Sequence, residues 1–390
     1  MERIVERKKC CGCEACKDIC QKNAISMQRD EDGFFFPVIE ESLCVNCGAC
    51  GRVCPARHDV TFRKIDFCDT EAFGGYDTDR GALQKSASGG IAGVLAEAIL
   101  SEGGKAYGVV FAKDDFGRVY YSSTDENTID DMRGSKYVTA IKNGVYRKIK
   151  SDLSQGRKVL FVGLPCEVAA LYAFLNRDYE NLFTAELICA GASSYNLLDE
   201  QLKWCEAKSG SKISGFSFRF KKYGWVPYSI KATYLRGKPY AVMFDETIFG
   251  VGMKFAKREA CFNCVYKNDR RLADLTVGDF WNVDRRASYY NESGTSVIFA
   301  RTQKGLDWLL GLKSLYVVRV DPEAAVNGNR QQLQYPAGIP SAREEYLRVL
   351  REQGGEAAYR RFKPAKSLKM KIKTHLPAGL YKLLRRLEKR

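Results

Sequence analysis

The chain has 390 residues, a net charge of +15 and fifteen cysteines, so it is too long for a lone cofactor module and leaves about 330 residues for one large or two medium domains with a proper core. The charge is not a nucleic-acid footprint: residues 360–390 hold twelve Lys or Arg against the single acid Glu388, the body is nearly balanced, and no basic stripe interleaved with aromatics runs through it. No charged-then-apolar leader precedes Cys10 and no run of eighteen apolar residues occurs; the expectation is a cytoplasmic protein whose thiols are reduced and bind metal rather than forming a disulfide framework.

The first elements are two cysteine runs, Cys10, Cys13, Cys16, Cys20 and Cys44, Cys47, Cys50, Cys54. Each has the spacing C-x2-C-x2-C-x3-C, the pattern of a bacterial two-cluster ferredoxin. Three thiolates at intervals of three can wrap three corners of an iron–sulfur cube while the fourth is carried to the neighbouring cube. This crossed pattern assigns Cys10, Cys13, Cys16 and Cys54 to one [4Fe-4S] cluster and Cys44, Cys47, Cys50 and Cys20 to the other. Gln21 replaces the proline usual after the fourth cysteine, and Cys11 is an extra thiol. Paired zinc sites are the competing reading, but they ordinarily use separated C-x2-C pairs. Between the runs, residues 24–27 and 34–39 flank a polar turn, which suits a hairpin that roofs the clusters.

A connector with His58 and Cys68 leads to a strand at 73–76, the turn Ser86-Ala87-Ser88-Gly89-Gly90, and a helix at 91–100. Strands are expected at 105–111, 119–123, 158–163 and 183–188, and helices at 142–154, 167–175 and 197–207. Apolar strands alternating with helices argue for a mixed or parallel sheet covered on its faces. Amphipathic strands fill 213–244 with a hairpin turn at Arg236-Gly237; further strands fall at 272–278 and 296–301, a helix at 306–312, and a long surface helix at 342–362. In the tail, Leu380, Leu383, Leu384 and Leu387 form one helical stripe beside Lys382, Arg385, Arg386, Lys389 and Arg390, the pattern of a basic helix lying on a membrane surface; a solvated tail or a helix docked on a partner are the alternatives.

Four more cysteines stand where a sheet of this kind gathers ligands. Cys166 follows a strand-to-helix turn, where a helix N-terminus favours thiolate, Cys189 ends a strand, and Cys261 and Cys264 form a C-x2-C. Together they suit a third cluster or a zinc; buried structural cysteines are the alternative for Cys166 and Cys189. Cys11, Cys68 and Cys205 have no such context. Gly89 and Gly90 let backbone N–H groups approach a pyrophosphate, with Lys136 to offset its charge, or make only a tight turn. No G-x-G-x-x-G follows a strand, so a Rossmann site is not supported.

From Phe73 to Phe362 the chain resembles the coenzyme F(420) hydrogenase/dehydrogenase beta-subunit family. The resemblance rests on Ser88-Gly89-Gly90, the run from Arg133 to Val138, Gly163-Leu164-Pro165-Cys166, Cys189 after a strand, and Cys261-Phe262-Asn263-Cys264 leading to the run from Ala273 to Trp281. It implies FAD at Ser88, Gly89, Gly90 and at Ser135, Lys136, Tyr137, and a third [4Fe-4S] cluster on Cys166, Cys189, Cys261 and Cys264. The fold expected is α+β or α/β: a two-cluster ferredoxin module over 1–60, then a mixed-sheet flavin-binding core over 70–200 and 201–362, then a basic tail over 363–390. Many relatives carry Cys-His-Gly-Val-Pro-Ser where Cys189-Ala190-Gly191-Ala192-Ser193-Ser194 stands here. With only His58 and His375 in the chain, proton delivery falls to Lys136, Tyr137, Asp274 or Asp279. The function implied is an FAD-dependent iron–sulfur reductase that takes electrons from an external low-potential donor such as ferredoxin and passes them to an organic substrate, or exchanges hydride with coenzyme F(420) as co-substrate. Relatives of this build often accompany surface-polysaccharide synthesis, which points to the inner membrane face. The alternative is an electron-transfer subunit with no substrate of its own.

Overall fold

Val159–Gly163 is buried along its whole length, as expected of a central parallel strand covered on both faces. In the computed structural model, which describes residues 3–58, 60, 70–268, 271–365, 376 and 379–381, this strand sits inside an eight-stranded sheet. In chain order the strands are β1 Ile25–Arg29, β2 Phe35–Ile39, β3 Glu71–Asp77, β4 Lys105–Phe111, β5 Val119–Thr124, β6 Val159–Gly163, β7 Leu182–Leu187, β8 Ile213–Phe220, β9 Ser229–Tyr234, β10 Tyr240–Met243, β11 Leu275–Asp279, β12 Ser296–Ala300 and β13 Leu315–Val320. The large sheet runs β13-β3-β12-β11-β7-β6-β4-β5. Its middle four strands are mutually parallel and its margins antiparallel. Helices cover both faces, which bears out the mixed, helix-covered sheet.

The parallel middle places the site. Because β4, β6, β7 and β11 point the same way, whatever follows β6, β7 and β11 emerges at one sheet edge. The helix Pro165–Leu175 starts there with proline in its first turn, and the Glu167 carboxylate accepts the Leu164 N–H at 2.8 Å. β8, β9 and β10 form a separate three-stranded antiparallel sheet.

Two elements differ from expectation. β13, a half-buried strand that the sequence pattern does not anticipate, pairs with β3 and forms the margin of the sheet. The helix Arg343–Phe362 is not a surface helix: Tyr346 and Val349 are fully buried, and it breaks at Gly354, beside which the Glu200 carboxylate takes the Gly355 N–H at 2.7 Å.

β1 and β2 form the hairpin of the N-terminal module, with Phe34 and Phe36 buried against Ile4, Cys10, Cys16 and Cys54. Its polar turn clamps the module to the core. Tyr195 N–H donates to the Gly33 carbonyl at 3.0 Å, Asn196 Nδ2 to the Glu31 carbonyl at 2.7 Å, and Arg29 pairs with Asp199 at 2.6 Å. Among the described residues no helix is long and apolar enough to cross a membrane. Most of the tail stripe, with Leu383, Leu384, Leu387 and its basic residues, lies outside the described residues, as do Cys68 and His375.

Candidate functional site

The module's cysteines separate into an inner and an outer group. Cys10, Cys13, Cys16 and Cys54 line one enclosed void with Ile4, Val5, Met27 and Pro37, the set the crossed spacing assigns to one cube. Cys20, Cys44 and Cys50 are half-buried and Cys47 is exposed. Beside them Leu43 and Val45 are 51% and 61% exposed, and Arg52 Nη1 donates to the Cys47 carbonyl at 2.9 Å.

The second constellation lies on the carboxyl edge of the sheet. Cys166 opens the helix after β6, Cys189 follows β7, and Cys261 and Cys264 approach from the segment after the helix Ile248–Gly252. Burial pushes the Cys189 thiol up to about 12, and the neighbouring Cys261 and Cys264 add to the rise. Cys166 is also pushed well up, first by the neighbouring Cys11 thiol and then by burial; these outweigh the helix N-terminus expected to favour its thiolate. Among the described residues no three Cys, His, Asp or Glu side chains stand close enough to hold a single metal ion.

Cys11, read from the sequence as ordinary, proves to be a link. Its thiol lies beside both Cys13 of the inner group and Cys166 of the core, close enough for the three to influence one another's ionisation. Tyr266 Oη donates to the Pro55 carbonyl at 3.0 Å, and Tyr146 Oη to the Cys13 carbonyl at 2.9 Å, so the inner loop is pinned beside the four core thiols. Cys205, in contrast, is buried in the helix Tyr195–Ser209, its sulfur accepting from Gln201 Nε2 at 3.2 Å.

The loop after Cys189 is fitted tightly. Gly191 has φ +120°, and a Cβ there would come to 2.9 Å from Lys257 Cδ and 3.1 Å from Cys261 Cβ. Gly191→Ala is therefore expected to cost roughly 1–3 kcal/mol and to displace Cys261, read as a lower denaturation midpoint and loss of iron; wild-type values for both would refute the fit.

The residues singled out for a cofactor and for proton transfer fall into two sets. Arg133 Nη1 donates to Ser86 Oγ at 3.2 Å, which brings the run 133–137 beside the loop 86–90. Gly89 N–H is taken by Ser296 Oγ at 3.0 Å, Ser88 Oγ donates to the Thr295 carbonyl at 2.9 Å, and Asp77 lies against Gly90. Lys136 Nζ donates to the carbonyls of Asp131, Met132, Arg133 and Gly134, and burial pulls its pKa down to about 7; the ammonium closes its own loop. Ser135 is half-buried on the same turn. Asp274 stands at the opposite sheet edge, its carboxylate accepting from Thr184 N–H and Thr302 Oγ1, each at 2.8 Å.

Tyr137 and Asp279 do meet, through a residue the sequence reading missed. Arg219 on β8 grips Asp279 with two bonds of 3.1 and 2.8 Å, donates to Tyr137 Oη at 3.3 Å and to the Ala87 carbonyl at 2.9 Å, and lies 4.0 Å over the Tyr228 ring. Trp225 Nε1 completes Asp279 at 2.7 Å. Beside this cluster opens a cavity of about 600 Å³ lined by Lys221, Tyr223, Trp225, Phe280, Trp281 and Arg285 among others. Trp225 and Trp281 are stacked with centroids 5.5 Å apart and planes 6° from parallel. Lys221 Nζ donates to the Ser88 carbonyl at 3.0 Å, tying the wall to that loop, and burial lowers its pKa to about 7. Flat aromatic walls, two cations and this size suit an aromatic cofactor with phosphates. Tyr381 packs on Tyr223 at 5.1 Å, so the start of the tail reaches the cavity rim.

An uncharacterized ferredoxin of Methanocaldococcus jannaschii is 38% identical over 55 residues, 14% of this chain and 70% of the relative. A chain of the F(420)-reducing nickel–iron hydrogenase complex from Methanosarcina barkeri is similar with a TM-score of 0.46 and 18% identity, over 78% of this chain and 93% of that one. Residues 9–58 match the 4Fe-4S dicluster domain, and residues 156–324 match the C terminus of the coenzyme F(420) hydrogenase/dehydrogenase beta subunit. The chain thus joins an N-terminal 4Fe-4S dicluster domain to a segment that matches the C terminus of the coenzyme F(420) hydrogenase/dehydrogenase beta subunit.

Proposed function

We propose that the chain is an iron–sulfur flavoprotein reductase that takes electrons singly at the ferredoxin module and delivers them in pairs to an organic substrate. The observation that carries this reading is the hydrogen bond of Tyr266, two residues after Cys264, to the Pro55 carbonyl next to Cys54 at 3.0 Å, which with Cys11 placed beside both Cys13 and Cys166 supports one continuous track of thiols from module to core. The outer ligands are Cys20, Cys44, Cys47 and Cys50, the inner ones Cys10, Cys13, Cys16 and Cys54, and the core ones Cys166, Cys189, Cys261 and Cys264. Clusters held there would supply one-electron steps, and FAD held in the aromatic cavity, beside the loops Ser88-Gly89-Gly90 and Ser135-Lys136-Tyr137, would supply the two-electron step that most organic reductions need. Arg219 orients Tyr137 and Asp279; Tyr137 Oη is the proton-bearing atom of that pair, while Lys136 shapes the loop. Coenzyme F(420) is the co-substrate of the variant reaction.

The test is anaerobic purification with iron, acid-labile sulfide and flavin measured per chain. About twelve irons and one FAD support the reading; about eight irons and no flavin sink it. An electron-transfer subunit without a substrate of its own is the second reading, favoured by a family named for subunits of larger enzymes. It predicts that flavin reduced through the module is reoxidised only when a partner protein is added.

Donor docking belongs at the outer loop. Exposed Leu43, Val45 and Cys47 are flanked by Arg3, Arg52 and Arg57, with Arg3 Nη1 paired to Glu41 at 3.0 Å and donating to Asn46 Oδ1 at 2.9 Å, and Arg57 Nη1 donating to the Arg3 carbonyl at 2.9 Å, so Arg52 and Arg57 carry the net positive charge. An acidic carrier such as ferredoxin fits this basic, apolar-centred patch. Its reduction of the chain should slow about tenfold between roughly 0.05 and 0.5 M salt, and Arg52→Gln should flatten that dependence; a rate indifferent to salt removes the patch from consideration. A sugar-nucleotide or lipid-linked sugar substrate in polysaccharide synthesis, with the basic tail on the inner membrane face, extends the reading. Deleting residues 363–390 should then abolish binding to anionic vesicles.

A further inference from the structure

Resting on the cluster assignment above, we propose that Arg258 makes the inner end of the track the electron sink: its buried charge stabilises an added electron at the two sites it stands between, the inner module site and the core site, relative to the outer site. The residue belongs to both halves of the molecule. Its backbone is part of the core site, with its N–H donating to the Ala192 carbonyl in the loop after Cys189 and its carbonyl accepting the Cys261 N–H, both at 3.0 Å. Its side chain belongs to the module. Nη1 donates to the Cys10 carbonyl at 3.2 Å and Nη2 to the Phe35 carbonyl at 2.7 Å, and the guanidinium lies 4.6 Å over the Phe36 ring. The cysteine loop is shaped around it: Gly12 has φ +72°, and a Cβ there would stand 2.9 Å from Nη2.

Arg258 is 1% exposed, and its Nε is buried with no hydrogen-bond partner. No carboxylate forms an ion pair with it among the described residues. A buried cation left in that state is costly unless another negative charge compensates it. Four thiolates around a cube give a net charge of roughly −2 when oxidised and −3 when reduced, so each added electron strengthens the attraction to Arg258 in a medium that screens it weakly. Two buried carboxylates of the core are committed to Lys142, Glu167 pairing with its Nζ at 2.8 Å and Glu14 accepting its N–H at 3.1 Å, and Glu259, next to Arg258 in the chain, is exposed. Arg3, Arg52 and Arg57 at the outer loop are exposed and act through water and salt. An electron given by the external carrier to the outer site therefore runs downhill to the inner one, which is reduced as the outer is oxidised, with no bond made or broken.

The test is a redox titration of the full chain followed by electron paramagnetic resonance, with the outer cluster identified as the signal altered by Cys47→Ser. Arg258→Gln is expected to lower the midpoint potentials of the inner and core clusters and leave the outer one unchanged. Arg258→Lys, which keeps the charge but loses the forked hydrogen bonds, is expected to hold both near wild type. Unmoved potentials in the Gln variant, an equal shift of all three, or a fall in the Lys variant as large as in the Gln variant would overturn the proposal. If the Gln variant cannot retain iron, the Lys variant decides through pH, because a buried ammonium can lose its proton where a guanidinium does not: inner and core midpoints that fall at alkaline pH beyond any wild-type change, with the outer one unmoved, support the proposal, and midpoints that follow the wild-type pH dependence overturn it. A wild-type content of about eight irons with no flavin defeats the reductase reading instead, whereas about twelve irons with unmoved potentials defeats only the role of Arg258.

Discussion

Cys261→Ser is expected to remove about four of roughly twelve irons per chain and to leave the two ferredoxin-type signals in place. The side chain stands in the 3-10 turn Glu259–Cys261, half-buried beside Cys264 and Cys189, and desolvation pushes its thiol up. Serine preserves the turn, whose hydrogen bonds are made by backbone, but gives an oxygen that ligates iron far less readily than thiolate. The module's eight cysteines lie on separate loops, with their own apolar packing around Ile4, Phe34 and Phe36, so their clusters have no reason to follow. Cys205→Ser is the internal control, because that sulfur touches only core and Gln201; it should cost some stability and no iron. Equal iron in the Cys261 and Cys205 variants would end the assignment of a core cluster, and loss of all iron would mean that the two halves do not load independently.

How much of this was legible in the sequence depends on whether the signal was local. The ferredoxin runs were, because their ligands sit three residues apart and the spacing itself is the geometry. Cys166 and Cys189 were readable from strand ends, since a parallel sheet sends every βα turn to one edge. Cys11 was not readable: its meeting with Cys166 depends on how the module docks, and the docking rests on pairs far apart in sequence such as Tyr195 with Gly33 and Tyr266 with Pro55. Arg219 was hidden for another reason. A cation on an amphipathic strand reads as solvent-facing, and only the arrival of Asp279 from β11 at the same place makes burial tolerable. The Gly89 turn carried a phosphate-site signal, but its N–H is occupied by Ser296 from β12, a strand 207 residues away in sequence.

Arg219→Met is expected to be the most damaging substitution outside the cysteines. It leaves the Asp279 carboxylate with Trp225 Nε1 as its remaining side-chain donor, at 2.7 Å, and removes the tie to the Ala87 carbonyl, at 2.9 Å, that holds β8 against the Ser88 loop. An ion pair whose arginine is 3% and whose aspartate is 18% exposed loses roughly 3–5 kcal/mol when one partner is deleted, most of it from the charge left behind. Asp279→Asn alone strands Arg219 in the same way. The double variant removes both charges and should recover at least half of the loss, a coupling that urea denaturation of the two single variants and the double variant measures directly. Flavin content should not recover with it, since Tyr137 and the Ala87–Ser88 loop lose their common anchor whether or not Asp279 is neutral. Strictly additive stability losses would mean that the pair is not coupled as its geometry requires. Flavin restored in the double variant would mean that Arg219 contributes only its charge balance to the fold, and nothing to holding the cofactor loops.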